Sequence, residues 1–203
     1  MDSTNKITLE SYNVGVHAYI ENTDHKRDPA VQDWLDKSTA GLGSDARILE
    51  IGSGYGRDAM YLESKGYHVE KTDAAKSFVD VVQQTDPTAH VLNILTDEIS
   101  GTYDLIIANG VLLHFTADEL ELALAKIFNA LEPNGTFAFT VKQGEGEEWK
   151  TNKEMGPRFF KYWNAPELTE ILTKNGFVDI NSWINDIDAP NATWILFIVK
   201  RNS

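Results

Sequence analysis

A glycine-rich turn constrains the fold of this chain more than any other feature of its sequence. Gly52, Gly54 and Gly56 follow an apolar run over residues 46–51 and precede a helix-forming segment over residues 57–64. Glycine adopts positive φ without a Cβ clash and lets the backbone approach a ligand closely. In an open parallel sheet, ligands bind beyond the carboxyl ends of the strands, which is where such a turn lies. The turn therefore predicts an α/β fold with a ligand site at the end of the first strand.

Seven short apolar runs predict the strands of one sheet. They lie at residues 46–51, 67–72, 89–92, 103–108, 135–141, 177–183 and 193–199. Segments with apolar residues near helical spacing separate most of these runs and predict helices at residues 57–64, 74–83, 116–131 and 166–174. Two more helices are predicted ahead of the first strand, at residues 9–21 and 29–37. Strands that alternate with helices favour a parallel sheet with crossover helices.

The length of 203 residues suits one domain with a short extension. No internal repeat and no linker rich in Gly, Ser or Pro divides the chain. We therefore expect a main domain over residues 45–203 and an N-terminal helical extension or lid over residues 1–44.

The composition excludes several classes of function. Lys and Arg number 18 against 31 Asp and Glu, a formal net charge of −13, and there is no basic run. Nucleic acid is held mainly by Lys and Arg, so we expect no nucleic-acid partner. The absence of Cys excludes disulfides, thiolate nucleophiles and Cys-based zinc sites, and no residues stand at metal-ligand spacing, so no metal is expected. No apolar run is long enough for a signal peptide or a membrane span, so we expect a cytoplasmic protein without a membrane partner.

Two classes of nucleoside ligand fit a glycine turn of this kind. A dinucleotide site favours G-x-G-x-x-G, but the third glycine position holds Arg57. Asp73 follows the second predicted strand about 20 residues after Gly52, where an acid accepts hydrogen bonds from ribose hydroxyls. Asp73 would alternatively cap the helix that follows it. The spacing favours the ribose role and is compatible with both.

The turn also carries a family resemblance. An E-x-G-x-G-x-G pattern that begins at Glu50 resembles the class I S-adenosylmethionine-dependent methyltransferases. The sequence LEPNG at residues 131–135 is similar to the L-x-P-G-G turn before the fifth strand of that family. The resemblance covers residues 48–199. It implies a Rossmann-like fold with a seven-stranded, mostly parallel sheet in the order 3-2-1-4-5-7-6, strand seven antiparallel, and helices on both faces.

The same resemblance implies S-adenosylmethionine as cofactor and S-adenosylhomocysteine as its product. It places Asn93 near the adenine amino group and the end of the fourth strand beside the methionine part of the cofactor. Arg57 would pair with the cofactor carboxylate or lie on the surface, and Tyr12 would cover the cofactor or pack in the helix interface. The predicted cofactor-binding residues are Tyr12, Glu50, Gly52, Ser53, Gly54, Arg57, Asp73, Ala74, Asn93, Ile94, Asn109 and Gly110.

Candidates for the acceptor side of the site come from three segments. His114, just after the fourth strand, is the best candidate for a catalytic base, with a hydrogen-bonded structural role as the alternative. An Arg with adjacent aromatic residues suits an anionic or planar acceptor. The acidic run at residues 145–148 favours a solvated loop over a cation site, so the charge of the acceptor stays open. The predicted substrate-pocket residues are Tyr19, Lys142, Arg158 and Tyr162.

The leading prediction is a methyltransferase that acts on an unidentified small molecule by in-line displacement. Displacement at a sulfonium centre needs alignment and exclusion of water more than a catalytic constellation. Segments such as LLH at residues 112–114 and GPRFF at residues 156–160 are similar to a bacterial branch of small-molecule methyltransferases related to the tellurite-resistance group. A protein that binds the cofactor or its product without turnover, and less favourably an NAD-dependent oxidoreductase, are the alternatives.

Overall fold

The structure is a computed structural model that describes residues 3–23, 28–151, 153–185 and 193–203. Nine strands are present in this part of the chain: β1 (Arg47–Ile51), β2 (His68–Asp73), β3 (His90–Val91), β4 (Tyr103–Asn109), β5 (Leu131–Lys142), β6 (Glu147–Lys150), β7 (Arg158–Lys161), β8 (Phe177–Asn185) and β9 (Trp194–Arg201). Its helices are α1 (Thr4–Thr23), α2 (Pro29–Ser38), α3 (Arg57–Ser64), α4 (Lys76–Val82), α5 (Ala117–Ala130) and α6 (Ala165–Lys174), with a short 3₁₀ turn at Leu112–His114.

Seven of the strands form one sheet in the order β3-β2-β1-β4-β5-β9-β8. The strands from β3 to β5 are parallel, and β9 runs antiparallel to both of its neighbours, β5 and β8. The predicted order 3-2-1-4-5-7-6, with an antiparallel last strand, is therefore confirmed, because β8 and β9 are the sixth and seventh strands of the sheet.

A hairpin of β6 and β7 forms a separate two-stranded sheet that was not predicted. The prediction of a solvated loop at residues 145–148 is wrong in part, because Glu147 and Glu148 begin β6 and pair with β7. Cross-strand contacts explain the pairing. The Trp149 ring packs edge-on against Phe159, with 5.7 Å between ring centroids, and Tyr162 donates a hydrogen bond to Glu148.

The central strands β1 and β4 are buried on both faces, which explains why they contain apolar runs, whereas the edge strands β3 and β8 are largely exposed. Successive residues of β1 point to opposite faces. On one face Leu49 packs in a core that includes α5 and α6, and on the other face Ile48 packs in a core that includes α2 and α3. The helices therefore cover both faces, as the resemblance implied.

α2 is part of the helical layer of the sheet. Trp34 is fully buried, and its Nε1 donates a hydrogen bond to the carbonyl oxygen of Phe197 in β9 at 3.1 Å. Residues 1–2 and 24–27 of the predicted extension lie outside the described residues. Because α2 shares the core of the sheet, we propose that the extension is α1 alone and that α2 belongs to the main domain.

Within the described residues, no helix combines the length and the apolar character that a bilayer crossing requires.

Candidate functional site

A pocket opens beyond the carboxyl ends of β1, β2 and β4, where the glycine turn lies. One of its walls is the inner face of α1. The residues that line the pocket are Asn5, Thr8, Leu9, Tyr12, Tyr19, Ile51, Gly52, Gly54, Asp73, Ala74, Phe78, Leu92, Asn93, Ile94, Asn109, Gly110, Val111, His114 and Phe115. Most of the predicted cofactor-binding residues, the candidate base and one predicted acceptor residue, Tyr19, are thus brought together.

The glycine turn has the backbone conformation that its sequence predicts. Gly52, Gly54 and Gly56 have φ values of 70°, 55° and 82°, a region that favours glycine. A Cβ at Gly52 would lie 2.4 Å from a methyl carbon of Val111, whereas a Cβ at Gly54 would meet nothing within 4 Å. The turn is therefore packed on one side and open toward the pocket on the other.

Asp73 links this turn to the second strand. Its two carboxylate oxygens accept hydrogen bonds from the backbone N–H of Gly54 at 2.9 Å and of Ala75 at 2.8 Å. Each oxygen keeps a lone pair for a further donor. Burial raises the pKa of Asp73 to about 6, against the lowering effect of these two N–H groups. Asp73 therefore caps its local backbone and also retains acceptor capacity inside the pocket.

Three predicted cofactor residues lie outside the pocket lining. Ser53 exchanges hydrogen bonds with β2 and accepts from the Thr72 N–H at 3.0 Å, which supports the turn from the side of the sheet. Glu50 is buried beneath the turn, and burial raises the pKa of its carboxyl well above the usual range, with Asp58 as a second cause. Arg57 donates a hydrogen bond to the carbonyl oxygen of Thr23 at the end of α1. Ser53 and Glu50 thus support the turn from outside the pocket, and Arg57 contacts the end of α1.

The two predicted asparagines are held by neighbouring side chains. Asn93 donates through Nδ2 to Asn5 of α1 at 2.8 Å. Asn109 donates to Asp58 at 2.6 Å and accepts from the Thr140 hydroxyl at 2.7 Å. Their amide groups are therefore fixed in orientation at two places along the pocket.

His114 and Tyr12 form a buried pair in the pocket wall. The His114 Nδ1 lies 2.6 Å from the Phe159 carbonyl oxygen, so Nδ1 carries the proton and Nε2 accepts from the Tyr12 hydroxyl at 2.8 Å. Burial lowers the pKa of His114 to about 4, so the ring is neutral at pH 7. Both ring nitrogens are engaged inside the protein. This geometry favours a proton path through the Tyr12 oxygen over direct contact between His114 and an acceptor.

Aromatic packing fixes α1 over the pocket. The Tyr12 and Tyr19 rings meet at 5.7 Å between centroids, and Tyr19 meets Phe78 of α4 at 5.3 Å. The Asn13 side chain accepts a hydrogen bond from the Ser77 N–H at 3.0 Å. The two tyrosines therefore pack in the interface between helices and also line the pocket, and a role in covering the cofactor stays a prediction.

The other predicted acceptor residues do not line this pocket. Lys142 and Arg158 lie beside it and face the Phe160 ring at 4.7 and 5.5 Å from its centroid. Tyr162 lies further out on the hairpin and bonds to Glu148. These residues surround a second region, on the hairpin side of Tyr12 and His114.

Several lining residues carry no motif and were not predicted. They include Asn5, Thr8 and Leu9 of α1, which recur with Tyr12 at three- to four-residue spacing on one helix face. That spacing is the signal in the sequence that points to them. Phe78, Val111 and Phe115 reach the pocket only through the fold. In the described part of the chain, no group of three or more His, Asp or Glu side chains is arranged to hold a metal ion.

Comparison with known proteins places the chain among methyltransferases. A family model described as a methyltransferase domain matches residues 23–182. Phosphoethanolamine N-methyltransferase of Plasmodium falciparum (isolate 3D7) is 26% identical over 153 residues, which are 70% of this chain and 57% of that enzyme. The chain thus spans little more than half the length of this relative.

Two solved structures have the same fold. One is Burkholderia thailandensis 1,6-didemethyltoxoflavin-N1-methyltransferase with bound 1,6-didemethyltoxoflavin and S-adenosylhomocysteine, with a TM-score of 0.78 at 19% identity over 100% of this chain and 92% of that chain. The other is magnesium protoporphyrin IX methyltransferase of Synechocystis PCC 6803 with bound S-adenosylmethionine, with a TM-score of 0.76 at 15% identity over 100% and 99% of the two chains.

Proposed function

Because this chain belongs to the methyltransferase-domain family, we propose that it transfers a methyl group from S-adenosylmethionine to a small molecule. One observation carries the proposal. The Asp73 carboxylate is held at the mouth of the glycine turn by the Gly54 N–H and still has lone pairs that face the pocket. Ribose hydroxyls are donors that such a carboxylate accepts. The cofactor nucleoside would therefore lie over the glycine turn, with its ribose within reach of the Asp73 carboxylate.

The rest of the pocket suits the two ends of the cofactor. Leu92 and Ile94 supply apolar surface beside Asn93 for an adenine ring. Asn109 and Gly110, at the end of β4, would border the methionine part. The methyl group would then face Tyr12 and His114, because His114 lies in the short turn that follows Gly110 and bonds to the Tyr12 hydroxyl.

The chemical step is an in-line displacement. A lone pair on the acceptor forms a bond to the methyl carbon while the carbon–sulfur bond breaks, and its electron pair stays on sulfur to give S-adenosylhomocysteine. An acceptor that still carries a proton would pass it to the Tyr12 oxygen as the Tyr12 proton moves to the Nε2 of His114. Because burial lowers the pKa of His114 to about 4, this route suits an acceptor whose proton becomes strongly acidic as its bond to the methyl carbon forms. α1 excludes water from the pocket and holds the reactants in line.

The proposal that the acceptor is a small molecule draws on two named relatives. The Plasmodium falciparum enzyme is a phosphoethanolamine N-methyltransferase, and the Burkholderia thailandensis structure contains 1,6-didemethyltoxoflavin. The relation to the tellurite-resistance group stays a prediction from the segments at residues 112–114 and 156–160.

Calorimetry with S-adenosylmethionine, S-adenosylhomocysteine and NAD tests the proposed cofactor. We expect binding of the first two in the micromolar range and no comparable binding of NAD. Labelled S-adenosylmethionine, incubated with the protein and a panel of metabolites, then tests methyl transfer. Binding of NAD alone would overturn the proposal. Cofactor binding with no transfer to any member of a broad panel would favour a protein that senses the cofactor.

A further inference from the structure

Three cations surround one aromatic ring on the hairpin side of the pocket. The Lys142 Nζ lies 4.7 Å from the centroid of the Phe160 ring, the Arg158 guanidinium carbon 5.5 Å and the Lys150 Nζ 5.6 Å. The three side chains come from β5, β6 and β7, so the hairpin is what brings them together. We call Lys142, Lys150 and Arg158 the cation cluster.

The positive charge of the cation cluster is only partly neutralised. Lys150 pairs with Glu148 at 3.1 Å. In the part of the chain that the structure describes, no carboxylate oxygen lies within 4 Å of a side-chain nitrogen of Lys142 or Arg158. The Arg158 Nε is buried and has no hydrogen-bond partner among the same residues. In a chain with a net charge of −13, two cations therefore lack a carboxylate partner among the described residues, and one of them holds a buried N–H without an acceptor.

The electrostatics of Lys142 indicate what kind of ligand would be favoured. Burial lowers the pKa of Lys142, and the nearby charges of Lys150 and Arg158 lower it further. Like charges held together in a partly buried site are costly until a counter-charge binds. An anion between them would remove that cost and would accept the unused hydrogen bonds.

The cation cluster adjoins the reacting end of the pocket. Arg158 lies over the Tyr12 ring at 5.4 Å, and its Nη1 reaches to 3.5 Å from the Tyr12 oxygen. The Phe160 ring packs against His114 with 4.7 Å between ring centroids. Lys142 also lies 5.5 Å from the centroid of the Trp194 ring. The same ring borders Gly110, because a Cβ built on Gly110 would lie 3.7 Å from a ring carbon of Trp194. Tyr12, His114 and Gly110 are thus shared borders of the cofactor pocket and the cation cluster.

We propose that the methyl acceptor carries an anionic group, a phosphate or a carboxylate, which binds between Lys142 and Arg158. This inference rests on the proposed function, because it assigns the acceptor of the same site. The anionic group and the methyl-accepting atom would both lie near Tyr12, because Arg158 of the cation cluster and His114 both approach the Tyr12 oxygen. The acceptor is therefore compact, with its methyl-accepting atom only a few bonds from the anionic group.

Binding of simple anions to the cofactor-loaded protein tests this inference. The full chain is first titrated with S-adenosylhomocysteine, and the complex is then titrated with inorganic phosphate and separately with acetate. We expect at least one anion to bind in the millimolar range, and the stronger of the two identifies the anionic group. Ethanolamine serves as a cationic probe of the same complex and is expected not to bind.

Variants of the cation cluster assign the binding to its residues. Lys142→Gln and Arg158→Gln each remove one charge, and we expect each to weaken anion binding by roughly tenfold or more. Lys161→Gln is the matched control, because Lys161 lies on the same strand as Arg158 and faces the Trp163 ring at 4.5 Å. It should leave anion affinity within about twofold of that of the unaltered protein. An unchanged affinity of the Lys142→Gln variant for S-adenosylhomocysteine would show that this variant is folded.

The possible outcomes separate the two proposals. Failure of the unaltered protein to bind S-adenosylhomocysteine would overturn the proposed function. Tight binding of S-adenosylhomocysteine without measurable phosphate or acetate binding would overturn only the anionic acceptor. Equal weakening by Lys161→Gln and Lys142→Gln would do the same, because it would show that the anion responds to overall charge.

Discussion

At the scale of single residues, we propose that Asp73 is the group on which cofactor binding depends most. Its carboxylate is buried, its pKa is raised to about 6, and the donors it already holds are two backbone N–H groups. Ribose hydroxyls would donate to the ionised form, so binding favours the charged carboxylate. We expect affinity for S-adenosylhomocysteine to be constant well above pH 6 and to fall as the pH falls through about 6. Calorimetry across that range measures the effect.

Asp73→Asn tests the assignment directly. The amide keeps the shape of the side chain but replaces one acceptor oxygen with a donor. We expect the binding of S-adenosylhomocysteine to weaken by about 1 to 3 kcal/mol in free energy. The loss of affinity as the pH falls through about 6 should also disappear. Asp80→Asn is the control, because Asp80 is an exposed carboxylate on α4 that pairs with Lys76. A variant at position 73 that retains the full pH dependence would show that another group titrates.

Some residue roles follow from local sequence and others do not. The place of Asp73 follows from its position at the end of a strand and its spacing from Gly52. The hydrogen bond between Tyr12 and His114 joins residues 102 positions apart, so no local pattern contains it. The Arg57 side chain donates a hydrogen bond to the carbonyl oxygen of Thr23, so its orientation depends on where α1 ends. The sequence at residue 57 carries no information on this point.

At the scale of elements, the glycine turn offers a contrast between two positions. Alanine at either Gly52 or Gly54 would adopt an unfavourable left-handed conformation, at about 1 to 2 kcal/mol. At Gly52 the new Cβ would also collide with Val111, whereas at Gly54 it would project into open space at the pocket. We expect Gly52→Ala to lower the free energy of unfolding by about 1 to 3 kcal/mol more than Gly54→Ala.

The two glycine variants should rank in one order by their stability and in the opposite order by their affinity for the cofactor. Gly54→Ala places a methyl group where the cofactor would lie, so it should weaken S-adenosylhomocysteine binding strongly while costing less stability. Urea unfolding measures the stability of each variant, and calorimetry measures its affinity for S-adenosylhomocysteine. Equal losses of stability would mean that Val111 moves aside without cost. Unimpaired binding by Gly54→Ala would mean that the cofactor does not approach this turn.

The main sheet was predictable because most of its strands, β1, β4, β5 and β9 above all, contain a short apolar run bounded by turn or cap residues. The hairpin was not, because β6 is exposed along its whole length and contributes no apolar run. Its pairing depends on Trp149, Phe159 and Tyr162, which lie on both sides of a loop. The same hairpin positions Lys150 and Arg158. The sequence predicted Lys142 and Arg158 as acceptor residues, but Lys150 and the grouping of the three cations around Phe160 required the structure.

At the scale of the whole molecule, the question is whether α2 unfolds in the same cooperative transition as the main sheet. Trp34 has no exposed surface and joins α2 to β9 through its indole N–H. If α2 belongs to the main domain, loss of this side chain will destabilise the entire sheet. Truncation of a buried Trp to Ala costs about 3 to 5 kcal/mol, and each kcal/mol lowers the melting temperature by about 2 to 4 °C in a chain of this size.

We therefore expect Trp34→Ala to lower the melting temperature by roughly 6 to 20 °C in a single transition. Circular dichroism follows the whole sheet, and protection by S-adenosylhomocysteine reports the pocket, so both signals should shift together. Trp149→Ala is the matched control, because the Trp149 side chain is 44% exposed on the hairpin and its loss should cost much less. A separate early transition, with the pocket still protected at the original temperature, would place α2 outside the cooperative unit and would restore an extension that ends near residue 44.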